Sequence, residues 1–322
     1  MATAPQAKRV IGLGMACLDQ LMLWQDLGAP VGRNRLVAWD MQGGGIAATA
    51  LVAVARLGGR AEMWAAVGDD WIGDLILRGL DEEKVDTRRV ERVKGRRGPL
   101  MIVCVDQPTG ERCFFHATGH CHAGHALGDL RRLKGAGCLL IDGTRPESDL
   151  RAARAARRLG VPVVADVGWM GERTPTILKY VDYAILSEPG ARSIGESCAV
   201  GSPAHRVRHG ESPDFRQVCR AVRAMGPACV VITLGAKGLV YLDGDRFGRM
   251  KAFRVKVVDT TGAGDVFHGA FCYGLVAGFA LEQNLRFASA AAAMKCRHIG
   301  GRAGIPTRRE VMRFLKHGPH EA

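Results

Sequence analysis

Aromatic side chains are scarce in this 322-residue chain (6%), and only ten of its 45 basic residues are lysines. No stretch interleaves aromatics with basic residues in the manner of single-strand nucleic-acid binders. No block of five or six like charges marks a polyanion-binding tail either. The formal charge of +13 therefore reads as arginine spread over the surface, suited to concentrating a small anionic substrate rather than nucleic acid. Long apolar runs are also missing: 229–234 and 288–294 fall far short of the roughly 20 residues a membrane span needs. The opening MATAPQAKRV leads straight into a strand-like VIGLG with no signal-peptide core, so a soluble cytoplasmic chain is expected. Ten cysteines occur without one CxxC pair, the pattern of small, reduced, hydrophobic side chains.

What is present is an alternation of two patterns. Short apolar runs bounded by Gly, Pro or Asp, at 10–13, 138–142, 161–166, 183–187 and 229–234, read as parallel strands covered on both faces. Helical periodicity falls at 46–57, 73–83, 149–159, 215–225, 263–278 and 281–297. Strands alternating with helices imply βαβ crossovers and a doubly wound sheet. Two regions, 34–41 and 98–116, read instead as extended segments, the second folded about the turn Asp106-Gln107-Pro108-Thr109-Gly110. They predict a small β-sheet lid formed discontinuously by about 14–42 and 97–118, within one domain spanning 1–322. The Ser-, Gly-, Pro- and His-rich stretch 195–211 reads as an exposed loop.

The chemistry concentrates at Asp259-Thr260-Thr261-Gly262-Ala263-Gly264-Asp265. A glycine turn entering an apolar helix lets backbone N–H groups converge at the positive end of the helix dipole, a cradle for charge developing on a phosphoryl group. Asp265 stands beside that cradle, where a carboxylate can take a proton from an attacking hydroxyl. A bare GxGD also fits an ordinary turn capped by its aspartate; the longer string DTTGAGD ahead of an apolar helix is more specific.

The string VVDTTGAGDVFHGAF resembles the C-terminal signature of the ribokinase family, the phosphofructokinase-B-type carbohydrate kinases. The resemblance extends over about 8–317. Gly44-Gly45 with the helix ending Ala55-Arg56-Leu57-Gly58 resembles the N-terminal signature, Gly68-Asp69-Asp70 with Gly73 the GxD segment, and Thr233-Leu234-Gly235-Ala236-Lys237-Gly238 the nucleotide loop. The resemblance implies a three-layer α/β/α sandwich with a mostly parallel sheet, a lid-paired homodimer, and transfer of the γ-phosphoryl group of ATP to a sugar hydroxyl. It makes Asp265 the general base and the amides of Gly262, Ala263 and Gly264 the anion hole. It places Asp19, Gly44, Gly45 and Thr49 on the sugar and Thr233, Gly235, Gly238, Thr261 and Lys295 around the nucleotide. It further implies Mg²⁺ with ATP, Glu188 in the metal site, and a monovalent cation such as K⁺ held by Asp259 and the Thr261 carbonyl.

There are departures. Thr49 stands where the family usually has Asn, Cys17 where a sugar-contacting Asn occurs, and Ser187-Glu188-Pro189-Gly190 lacks the terminal glutamate of Asn-x-x-Glu. The strings GGGIAATALVAVARLG, AILSEPG and KCRHIGGRAGIP resemble those of bacterial 6-deoxy-6-sulfofructose kinases. In that branch Arg33 matches a sulfonate-binding lid residue, although a solvated arginine is an equal reading. Arg145 lies near a further anion-binding position. His116, ending a lid strand, is a candidate for substrate contact. The four histidines and one cysteine of 116–125 also fit zinc ligation or a solvated loop. Rival readings are a kinase for another sugar, sugar acid or nucleoside, a catalytically silent binding protein, and a nicotinamide enzyme. The last rests on Gly12-Leu13-Gly14, a partial GxGxxG with Cys17 at the third glycine.

Overall fold

The computed structural model describes residues 8–25, 36–106, 112–117, 121, 127, 129–199 and 213–318. The chain begins β1 (Arg9–Leu13), β2 (Cys17–Trp24), β3 (Leu36–Gly44), α1 (Ile46–Arg56), β4 (Arg60–Gly68), α2 (Trp71–Glu82), β5 (Val85–Val93), β6 (Leu100–Asp106) and β7 (Arg112–Ala117). It continues β8 (Cys138–Ile141), α3 (Pro146–Arg158), β9 (Val163–Val167), α4 (Thr174–Leu178), β10 (Tyr183–Ser187), α5 (Glu188–Ala199), α6 (Phe215–Ala224) and β11 (Cys229–Thr233). The remaining elements are β12 (Leu239–Asp243), β13 (Arg246–Met250), α7 (Ala263–Val276), α8 (Leu281–Lys295) and α9 (Arg308–His317).

The larger sheet has the order β13-β12-β11-β10-β9-β8-β1-β4-β5, parallel from β11 through β5 with an antiparallel hairpin, β12–β13, at one edge. Buried side chains of α1, α2, α7, α8 and α9 form one core on one face, and those of α3, α4, α5 and α6 form another on the opposite face. This is the three-layer sandwich that the alternating pattern implies. One expectation fails: 195–199 continue α5 instead of opening a loop, a helix that follows β10 directly and buries Ala191 and Ile194 in the core of that face. The rest of that stretch, 200–211, lies outside the described residues, as do Arg33, His120, His122 and His125.

The smaller sheet, β3-β2-β6-β7, pairs β2 antiparallel to β3 and parallel to β6. Its register sets Gln42, Asp19, Met101 and His116 in one cross-strand row, so these side chains share a face. The next row, Met41, Gln20, Ile102 and Phe115, faces the other way. Helix α7 reaches the junction of the two sheets by packing tightly on α1: a Cβ at Gly269 would strike the Ala50 carbonyl and the Ala53 side chain. Among the described residues no helix is long and apolar enough to cross a membrane.

Candidate active site

The Asp259–Asp265 string forms a tight turn and the first turn of α7. Gly262 caps the helix at φ 73°, a left-handed conformation that glycine adopts without strain. A Cβ there would lie 2.9 Å from both the Cα and the carbonyl oxygen of Gly301. The Asp259 carboxylate fastens the turn, accepting the Thr261 N–H at 2.9 Å, the Thr261 hydroxyl at 2.8 Å and the Gly300 N–H at 2.7 Å. Burial alone would raise this carboxyl, but those donors and the Lys295 charge outweigh it and hold the group below its ordinary range. The Ala263 N–H is engaged by the Thr260 carbonyl at 3.1 Å. Among the described residues, no acceptor takes the N–H groups of Gly262, Gly264 or Asp265. They are the unpaired donors of a helix start, at its positive end.

Asp265 keeps only part of its surface exposed. Burial first, then the carboxylates of Asp166, Asp19 and Asp142, push its carboxyl well above the ordinary range, with Arg302 pulling the other way. Asp166, on β9, is raised by burial and by Asp142, and is opposed by His268. His268, one turn along α7, donates from Nδ1 to the Gly264 carbonyl at 2.7 Å and turns Nε2 toward Asp166 at 3.8 Å. Asp19, on β2, is raised by burial and restrained by the Cys17 thiol, 3.2 Å away, and by Arg302. Asp142 ends β8 and accepts the N–H groups of Met15 at 2.7 Å and Thr144 at 3.0 Å. It thereby ties the turn between the two sheets to the carboxyl end of the parallel strands, where open α/β sheets bind ligands.

Buried Arg302 closes the cluster. Its Nη2 donates to the Gly44 carbonyl at 2.8 Å, and its N–H donates to the Gln42 side chain at 3.1 Å. Its own carbonyl accepts Arg56 Nη1 at 2.8 Å. One guanidinium thus faces Asp19 and Asp265 while pinning the β3 end of the smaller sheet.

A carboxylate held above its ordinary range beside unpaired helix-start amides pairs a proton acceptor with donors for phosphoryl charge, the two needs of phosphoryl transfer. Comparison with known proteins agrees: residues 14–308 match the family described as pfkB family carbohydrate kinase. The chain belongs to that family. It is 26% identical over 289 residues to the ribokinase of Haemophilus influenzae, covering 89% of this chain and 90% of the relative. It is 24% identical over 288 residues to a 5-dehydro-2-deoxygluconokinase of Clostridium beijerinckii, covering 86% and 85%. Among solved structures, Arabidopsis thaliana ribokinase complexed with ribose and ATP superposes with a TM-score of 0.83 at 25% identity, covering 97% of this chain and 99% of that one.

In this pfkB-family kinase the structure brings together Asp265, Gly262, Gly264, Asp19 and Gly44. Gly45 caps α1 beside them, and Thr49 is buried within α1 at 1% exposure. Thr233 ends β11 with its hydroxyl on the Leu186 carbonyl at 3.1 Å, and Gly235 and Gly238 bracket a single 3₁₀ turn after it. Three expectations change. Lys295 has no face for a nucleotide: it is fully buried and its Nζ donates to the Asp259 carbonyl at 3.0 Å. Glu188 is engaged by Arg192 at 2.8 Å and Lys237 at 3.5 Å, which hold its carboxyl low. Ala263 contributes no free amide. Among the described residues, no group of three or more His, Cys, Asp or Glu side chains is arranged to hold a metal. His116 is exposed on edge strand β7, in the Asp19 row but two strands away. Sequence reasoning missed Asp142, Asp166, His268 and Arg302 as site members. Asp142 and Asp166 do terminate predicted strands, the one signal that could have found them.

Proposed function

We propose that the protein transfers the γ-phosphoryl group of ATP to a hydroxyl of an anionic ketose such as 6-deoxy-6-sulfofructose. The observation that carries the phosphotransfer reading is the raised Asp265 carboxyl next to the unbonded N–H groups of Gly262 and Gly264. Asp265 takes the proton from the sugar hydroxyl as the oxygen attacks. The Gly262 and Gly264 amides receive the charge that builds on the phosphoryl oxygens, and need no reorganisation because the Asp259 bonds already fix the turn. Asp19 and the Gly43–Gly44 backbone, steadied by Arg302, orient the sugar. The Thr233–Gly238 loop lies at the carboxyl end of β11 and supports the nucleotide. Mg²⁺ arriving with ATP would be held mainly by phosphate oxygens and water and would offset phosphate charge, because Glu188 is already paired with cations.

The smaller sheet acts as the lid. Its Asp19 row faces the site, while Trp39, Met41 and Phe115 are exposed on the other face at 63%, 41% and 54%. Such an apolar face is suited to pairing with a second lid in a homodimer. Support for an anionic acceptor comes from the sulfofructose-kinase-like strings and from Arg33, whose planar fork suits a sulfonate. The 5-dehydro-2-deoxygluconokinase relative favours a second reading, a sugar-acid derivative. An ADP-release assay over neutral sugars, sugar acids and sulfosugars tests both. The first reading expects the sulfosugar to give the highest kcat/KM, and Arg33→Ala to raise the KM of anionic acceptors selectively. Equal effects of Arg33→Ala on neutral and anionic sugars would dismiss the sulfonate contact.

A further inference from the structure

The ribokinase-family resemblance implies a monovalent cation on Asp259 and the Thr261 carbonyl, beneath the turn that carries the anion-hole amides. The residues present do not fit one. Lys295, the last residue of α8, is fully buried and places its ammonium 3.0 Å from the Asp259 main-chain carbonyl. The same charge helps hold the Asp259 carboxylate in its ionised form. Both carboxylate oxygens of Asp259 already accept donors, Oδ1 from Thr261 and Oδ2 from Gly300. The main-chain N–H groups of Val258 and Asp259 both reach the Cys296 carbonyl, at 2.8 and 3.1 Å. The 258–261 strand of the turn is therefore stitched to the end of α8 without an ion. A potassium ion and an ammonium group are of similar size and both seek carbonyl oxygens. A second cation beside a buried ammonium meets repulsion that solvent does not screen.

We propose that Lys295 is a built-in cation, replacing the monovalent ion beneath the 259–264 turn and making nucleotide binding and turnover independent of potassium. The ammonium neutralises Asp259, sits favourably at the C-terminal end of α8 and holds the turn in the shape that presents the Gly262 and Gly264 amides. Lys295 is thus a positioning residue, acting through the turn and never touching substrate. This inference rests on the kinase reading above.

The test measures ADP affinity by titration calorimetry, turnover by ADP release, and melting temperature. Each is read in KCl and in choline chloride at matched ionic strength. The wild-type protein is expected to change by less than about twofold in affinity or turnover between the salts (~0.4 kcal/mol), with no melting shift specific to potassium. Lys295→Ala is expected to lose at least about tenfold in choline (~1.4 kcal/mol) and to recover most of that loss in KCl or ammonium chloride. Rescue by a small cation is a response that a merely structural side chain would not give. Should Lys295→Ala fail to fold, the wild-type comparison decides alone. Wild-type ADP binding or turnover that potassium improves by more than about fivefold overturns the inference while leaving the kinase reading intact. A folded Lys295→Ala that is unimpaired in choline, or impaired without cation rescue, overturns it too. Absence of ADP binding in every salt sinks the kinase reading and this inference with it.

Discussion

Substituting Gly262 by alanine separates the geometry of the turn from its composition. The residue sits at φ 73°, where an L side chain costs about 1–2 kcal/mol. The added Cβ would also meet the Cα and carbonyl oxygen of Gly301 at 2.9 Å. Both are backbone atoms that cannot swing aside, so overpacking adds about 1–3 kcal/mol. The stiffer unfolded chain returns roughly 0.4–1 kcal/mol, leaving a net loss of about 1–5 kcal/mol. An unfolding entropy of about 2.1 cal/mol/K per residue over the chain converts this to a Tm fall of roughly 1.5–7 °C. Gly264→Ala is the internal control for stability: no atom lies within 4 Å of its Cβ, and alanine is the better helix former, so Tm is expected to hold or rise. In Gly262→Ala the two amides are displaced, and turnover is expected to fall by about 10²–10³-fold, the usual effect of losing an oxyanion donor. Calorimetric melting and ADP release measure the two effects. A Gly262→Ala protein that melts within a degree of wild type and turns over normally would refute the account of the turn.

Asp149 is fully buried, and burial, with Asp142 adding to it, pushes its carboxyl well up against the opposing pull of Arg145. A raised acid favours the folded state below its unfolded pKa and withdraws that favour as pH climbs through the folded value. Asp149→Asn is neutral at every pH, so its Tm relative to wild type is expected to rise between mildly acidic and neutral pH; a difference that stays flat or falls contradicts this. Trp39→Glu, on the exposed face of β3, is expected to halve the mass seen by light scattering while barely moving Tm; an unchanged mass argues against pairing through that face.

Strands covered by helices on both faces could be read from the sequence. The 183–187 run coincides with β10, and 229–234 overshoots β11 by one residue. β4 was hidden because Glu62 interrupts its apolar run. That glutamate is buried and satisfied by the Trp64 indole N–H at 2.7 Å and Arg9 at 3.0 Å, a compensation visible only once β1 and β4 are paired. β5, with the charged sequence VDTRRVERV at the sheet edge, lacks the apolar signal because one side of it has no partner strand. The same division holds in the site. Gly262 through Asp265 are contiguous, so spacing alone exposes them. Asp142, Asp166 and Arg302 come from separate strand ends and a distant loop, and only the sheet order makes them neighbours.

The most direct test of the account is Asp265→Asn, assayed for turnover by ADP release and for nucleotide affinity by calorimetry. The account predicts that turnover falls by about 10²–10⁴-fold, the span expected for removing a general base, while ADP affinity stays within about threefold. Turnover close to that of the wild-type enzyme, with nucleotide still bound, would contradict it.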